Sequence, residues 1–183
     1  MKIFCIGRNY VDHAKELNNP VPTEPLIFMK PPTALVVNNK PFFYPDFTKD
    51  LHHEGEIVLR VCKNGRSVQP EFAGRYYDAV AIGIDFTARD LQDKLKQKGQ
   101  PWEIAKGFDH SAPLSKWIPL ADLPNPQDIH FQLKKNGNVV QDGHTRDLIF
   151  PFDVLIVHIS RYFTLQKGDI IFTGTPAGVG PVQ

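Results

Sequence analysis

Short apolar runs broken by glycine, proline and asparagine dominate this chain, and they predict many short strands with few helices. Residues 2–6 read as a first strand that Gly7 stops. A short helix follows, capped by Asn9 or Asp12, running through Leu17 and ended by Asn18-Asn19-Pro20. Residues 20–25 carry prolines without backbone donors and read as a loop. Leu26 to Lys30 is a strand closed by Pro31-Pro32, and residues 33–49 are loop and short-strand material. The strand carrying Glu56 runs to about Cys62, with Lys63-Asn64-Gly65-Arg66 as a hairpin turn. Residues 71–78 read as a short helical or irregular link before the apolar strand Asp78 to Ile84. Phe86 to Lys98 has the pattern of the clearest helix: Thr87 stands as N-cap, acids come early, lysines late, and Gly99 closes it. Asn136-Gly137 marks a hairpin between 130–135 and 139–142. Phe152 to Leu165 has the length of a helix, although its valines and isoleucines leave a strand open. A turn at Lys167-Gly168-Asp169 leads into a last strand, Ile170 to Thr173, and a loop rich in glycine, Gly174 to Pro181.

A length of 183 residues suits one domain with one core. The net charge of +1 gives no global field for nucleic acid or an anionic membrane, so neither is expected as a partner. Cys5 and Cys62 stand far apart and outside any CxxC spacing, which argues against a disulfide framework and fits a reducing, cytoplasmic setting. The apolar run at the start is too short for a signal peptide, and no run reaches the ~20 apolar residues of a membrane helix.

The stretch His52-His53-Glu54-Gly55-Glu56 carries the first candidate chemistry. Side chains at i and i+2 of a strand share a face, so Glu54 and Glu56 repel unless something neutralises them. Asp85, at the end of an apolar strand, is a third carboxylate. Three carboxylate oxygens leave about three sites of an octahedral Mg²⁺ or Mn²⁺ for water and substrate. The same spacing also describes solvated charges at strand ends. His52 and His53 lack the spacing of zinc ligands and read as structural. His13 and Glu16, at i and i+3, share a helix face; a carboxylate on one imidazole nitrogen raises the basicity of the other, though a plain surface pair looks the same. Lys106 sits among apolar neighbours, either snorkelling to water or aimed into a site as a cation. Arg89 and Gln92 can face the cleft of Asp85, whereas Asp93 to Lys98 read as an ordinary polar helix face. Thr175 and the loop around it offer a hydroxyl and backbone donors to an anion, or form only a turn.

Taken in order, Gly7-Arg8-Asn9-Tyr10 with His13, His53-Glu54-Gly55-Glu56, Gly83 to Gln92, Pro101 to Asp109, and Gly168 to Pro181 resemble the fumarylacetoacetate hydrolase family over nearly the whole chain. The match is similar to the small single-domain members: acylpyruvases, oxaloacetate decarboxylases, fumarylpyruvate hydrolases and dienedioate isomerases. The resemblance implies an α+β, mostly β fold, a mixed β-sheet roll with a few short helices, forming one catalytic domain over 1–183 and usually a homodimer. It implies Mg²⁺ or Mn²⁺ on Glu54, Glu56 and Asp85. His13 and Glu16 would form a dyad on a mobile lid of about 9–24. Lys106 would contact substrate or an oxyanion, Arg89 and Gln92 would line the pocket, and Thr175 would bind the substrate carboxylate. Family members continue into a closing hairpin beyond the point where this sequence stops, at Gln183; either the sequence is truncated there or the last strand is dispensable.

The expected activity is cleavage of a 2,4-dioxo acid or decarboxylation of oxaloacetate, through a pyruvate enolate whose charge the cation and Lys106 would hold. Isomerisation of a 2-hydroxy-dienedioate by the same residues is the alternative, and an oxo-acid binding protein without catalysis is a third reading.

Overall fold

The computed structural model describes residues 1–16 and 20–182. The strands are β1 (Ile3–Gly7), β2 (Leu26–Lys30), β3 (Leu35–Val36), β4 (Leu51–His53), β5 (Gly55–Val61), β6 (Tyr77–Ile84), β7 (Thr87–Ala88), β8 (Ala112–Pro113), β9 (Ile118–Pro119), β10 (His130–Lys135), β11 (Asn138–His144), β12 (Ile170–Phe172) and β13 (Gly180–Pro181). The α-helices are α1 (Val11–Glu16), α2 (Arg89–Gln97), α3 (Glu103–Lys106) and α4 (Phe152–Tyr162). This is the expected α+β architecture of mixed sheets with few helices.

The central sheet has six strands in the order β2-β1-β12-β5-β6-β9. Its β1–β12 pair is parallel and the remaining pairs are antiparallel. The two-residue period of a strand divides its side chains between two apolar layers. Phe4, Ile6, Ile57, Leu59, Val61, Val80 and Ile171 enter one layer, with Phe152, Leu155, Ile156 and Ile159 of α4. Ile3, Cys5, Val58, Ala81, Ile170 and Phe172 enter the other, with Ala34, Ala112 and Leu114. Each large apolar side chain so buried contributes about 1.5–3 kcal/mol relative to exposure. The helical alternative for 152–165 holds because the positions i, i+3, i+4 and i+7 from Phe152 are all buried.

The hairpin of β10 and β11 turns on Asn136 and Gly137, both at positive φ (51° and 84°), as a two-residue loop with primed geometry requires. A smaller sheet, β13-β4-β7, stands beside the large one.

Three expectations are corrected. The segment Lys63 to Arg66 is not a tight hairpin: Gly65 pairs with Leu165 through two backbone hydrogen bonds, and the chain reaches β6 only after a 3-10 turn at Pro70–Arg75. Tertiary pairing outcompetes the local Asn-Gly signal there. Thr87 does not cap α2, because it pairs with His52 in the small sheet and its hydroxyl donates to Glu54; α2 therefore begins at Arg89. The closing glycine stands as expected, with Gly99 at φ 63°. Asn9 does not cap α1 either, since its side chain bonds Phe150 and the Thr173 carbonyl. The expected helix end at Leu17 and Asn18-Asn19 lies outside the described residues.

Candidate active site

The three carboxylates meet because of strand register. β5 and β6 pair with Glu56 opposite Gly83, and the chain leaves β6 two residues later at Asp85. The Asp85 amide donates to the Glu54 carbonyl at 2.8 Å. Glu54 lies at the break between β4 and β5, so the two glutamates are not on one uninterrupted strand as expected. All three residues are buried, and one carboxylate oxygen from each lies within 4.8 Å of the others.

Cations surround the cluster. Lys106 Nζ stands 2.8 Å from both Glu54 Oε2 and Asp85 Oδ2. It is buried, so it does not snorkel. Arg89 donates to Glu54 Oε1 and to Gln92 Oε1, each at 2.6 Å. Burial alone would raise the Glu54 carboxyl, but the Lys106 ammonium and the Arg89 guanidinium outweigh it and hold Glu54 well below the usual carboxylate range. Burial likewise disfavours the Lys106 ammonium, and Asp85 and Glu54 more than restore it.

Glu56 is different. Its pKa is pushed well up by burial and then by the charges of Asp85 and Glu54. No cationic side chain reaches it among the described residues; its hydrogen bond comes from the Gly174 amide at 2.7 Å. Asp85 Oδ1 has the Lys30 ammonium 2.8 Å away but accepts no hydrogen bond among the described residues. Lys30 has only three protons, and the acceptors around it are the carbonyls of Phe86, Lys106 and Ser111 and the Ser111 hydroxyl. A buried hard-oxygen donor set with one unpaired carboxylate and one orphaned oxygen fits Mg²⁺ or Mn²⁺.

His13 and Glu16 of α1 approach at 3.4 Å, Nδ1 to Oε2. Glu16 also accepts from the Gly178 amide, which ties α1 to the glycine-rich loop. Burial lowers the His13 pKa, and Glu54 and Glu16 only partly offset it, so the imidazole is neutral and able to accept a proton near neutral pH.

One cleft gathers His13, Glu54, Glu56, Asp85, Arg89, Gln92, Lys106 and Thr175, with a free volume of about 30 Å³. Glu16 stands behind His13, outside the lining. The Thr175 hydroxyl is committed to protein: it donates to the Gly55 carbonyl at 2.9 Å and accepts from Gln141 at 2.8 Å. His53 is buried and outside the cleft lining.

Sequence reasoning missed several residues. Lys30 looks in the sequence like any strand-ending lysine; its partners are remote, with Asp85 2.8 Å away. Gln141 accepts from the Gly55 amide at 2.8 Å from 86 positions away, with no local signal. Lys96 reads in the sequence as part of an ordinary polar helix face, but it is half-buried and lines the cleft with Arg8 and Trp102.

The fumarylacetoacetate (FAA) hydrolase C-terminal model matches residues 2–183. The mitochondrial oxaloacetate tautomerase of Homo sapiens is 43% identical over 181 residues, covering 99% of this chain and 82% of that protein. An oxaloacetate tautomerase of Escherichia coli is 42% identical over 183 residues, covering 100% and 84%. The fumarylpyruvate hydrolase of Pseudomonas aeruginosa, solved with Mn²⁺ and pyruvate, superposes with a TM-score of 0.95 at 36% identity, covering 100% of this chain and 81% of that one. A family model over almost the full chain, and relatives of this identity and coverage, establish that the chain is an enzyme of the fumarylacetoacetate hydrolase family.

Proposed function

We propose that this enzyme interconverts the keto and enol forms of a small 2-oxo acid, with oxaloacetate as the first candidate. What supports the reading is that His13, neutral and braced by Glu16, lines the same cleft as the carboxylate triad and Lys106. The named activity of the human and Escherichia coli relatives points the same way.

In this reading Glu16 holds His13 Nδ1, which leaves Nε2 as the proton acceptor. Nε2 takes a proton from C3 of the keto acid. The C–H electron pair becomes the C2–C3 double bond, and the 2-oxo oxygen takes the negative charge. The Lys106 ammonium stabilises that oxygen. The protonated His13 then delivers its proton to the oxygen, giving the enol; the reverse order gives the keto form. Glu54, Glu56 and Asp85 would hold a Mg²⁺ or Mn²⁺ ion, which when bound would supply Lewis acidity to the 2-oxo group. Arg89 and Gln92 hold the Glu54 side of the site in place.

A second reading is hydrolytic cleavage of a 2,4-dioxo acid, in which His13 activates water for attack on the 4-oxo carbon. The TM-score of 0.95 to a fumarylpyruvate hydrolase favours keeping it. The two separate in one experiment: enol absorbance of oxaloacetate and pyruvate release from acetylpyruvate, each followed with divalent cation and with chelator. Enol decay that outpaces pyruvate release supports tautomerisation, and the converse supports hydrolysis. A homodimer belongs to the same proposal, supported by the exposed Phe43 (77%) and Ile104 (62%), and sedimentation tests it.

A further inference from the structure

Two cations of the cleft are not absorbed by the carboxylate triad. Arg89 and Lys106 are ion-paired to Glu54 and Asp85 at 2.6–2.8 Å, which fixes both at the triad end of the cleft. Arg8 and Lys96 line the same cleft, are half-buried, and make no ion pair or side-chain hydrogen bond among the described residues. A half-buried cation without an anionic partner loses hydration and receives nothing for it, unless a ligand supplies the charge.

Their setting is built rather than incidental. Arg8 has a left-handed backbone, φ 59°, uncommon for a residue with a side chain. Gly7 ends β1 before it, and Asn9 after it is fully buried and held by hydrogen bonds to Phe150 and Thr173 at 2.8–3.0 Å. The arginine is therefore presented from a fixed turn. Lys96 lies in the last turn of α2, with its ammonium 5.8 Å from the centre of the Trp102 ring. Burial lowers its pKa, and Arg89 and then Arg8 lower it further, against an opposing pull from Asp93 one turn earlier on α2. Ile6, Phe28 and Trp102 supply apolar surface in the same cleft.

We infer that Arg8 and Lys96 seat the distal carboxylate of the substrate, so that the enzyme selects dicarboxylic oxo acids over oxo acids with an uncharged tail. This rests on the reading that the triad end of the cleft receives the 1-carboxylate and 2-oxo group.

The test compares Arg8→Met and Lys96→Met with the parent, all loaded with Mg²⁺. Turnover is measured with oxaloacetate and acetylpyruvate, and binding by calorimetry with oxaloacetate and pyruvate. A charged hydrogen bond lost from a ligand costs roughly one to two orders of magnitude in affinity. Each variant is expected to lose about tenfold or more for oxaloacetate and several-fold less for the ligands without a distal carboxylate. Equal losses for both classes, or none for either, would overturn the inference. Lys96 lies on a helix surface, so Lys96→Glu serves as a second variant: it should reverse the preference, and a retained preference for oxaloacetate overturns the inference as well. If the parent turns over neither substrate, the activity reading fails, while calorimetry still decides whether the distal carboxylate is recognised.

Discussion

The Gly174 amide points its proton at Oε2 of Glu56 from 2.7 Å, and among the described residues Glu56 receives no other hydrogen bond. A fully buried carboxylate so thinly supported, beside two others, is held in a poor electrostatic position until a cation arrives.

The first prediction follows from that imbalance. Because the folded-state pKa of Glu56 is raised, the folded chelator-treated protein binds a proton that the unfolded chain releases. Its stability should therefore fall as pH rises from the ordinary glutamate range toward the raised value. Mn²⁺ at 100 times its Kd should add about 2.7 kcal/mol, a rise in Tm of roughly 5–10 °C for a domain of this size. Glu56→Gln removes the repulsion: thermal scans should show a chelator-treated variant at least as stable as the parent, with most of the Mn²⁺-induced rise gone. A full rise in that variant would remove Glu56 from the ligand set.

Gly174 itself is the second target. Its φ of 108° is poor for any side chain, and an added Cβ would lie 2.6 Å from Cβ of Asn9. Gly174→Ala should cost roughly 1–3 kcal/mol. It should also weaken Mn²⁺ binding, read by paramagnetic resonance, because shifting this peptide breaks the bond to Glu56. Unchanged affinity in a destabilised variant would separate the loop from the metal site.

The pH profile tests His13. Catalysis needs its neutral form, and burial lowers its pKa, so the acid limb of kcat/KM should have its midpoint below about 6.5. The hydrogen bond to Glu16 raises His13; Glu16→Gln should therefore move the limb to still lower pH. His13→Ala should reduce kcat by roughly 10²–10⁴-fold and flatten the limb. A limb that persists in His13→Ala belongs to another group.

Gln141 clamps the peptide between the two glutamates. Its amide oxygen accepts from Gly55, and its NH₂ group donates to Thr175 and to the Pro176 carbonyl. Gln141→Ala strands these buried groups at a cost of roughly 1–3 kcal/mol. Outer supports of metal ligands typically change affinity by about 10–100-fold, and the same is expected here for Mn²⁺. Gln141→Glu keeps the acceptor for Gly55 but not the donors, so calorimetry should place it between the parent and the alanine variant.

The residues of the cleft were legible because strand ends deliver side chains to one place: Glu54 and Asp85 leave their strands within two residues of each other in register. Lys106 illustrates the opposite limit. Its apolar neighbours fit snorkelling equally well, and only tertiary packing against Glu54 and Asp85 decides it. Asn64-Gly65 misled because a local turn preference of a few tenths to about 1 kcal/mol yields to two backbone bonds with Leu165. Thr87 misled for a related reason, since its hydroxyl serves Glu54 instead of a helix end. Lys30 and Gln141 left no local trace, because their partners lie 34 to 86 positions away.

The central claim, a base and a Lewis-acid site working on one enolate, is tested most directly by following oxaloacetate enol in stopped flow. Four proteins suffice: the parent with Mg²⁺, the parent with chelator, His13→Ala with Mg²⁺ and Glu56→Gln with Mg²⁺. The account predicts rapid enol–ketone interconversion in the first alone, with the other three slower by roughly 10²-fold or more. Equal rates in the parent and His13→Ala, or a parent rate indifferent to chelator, would contradict it.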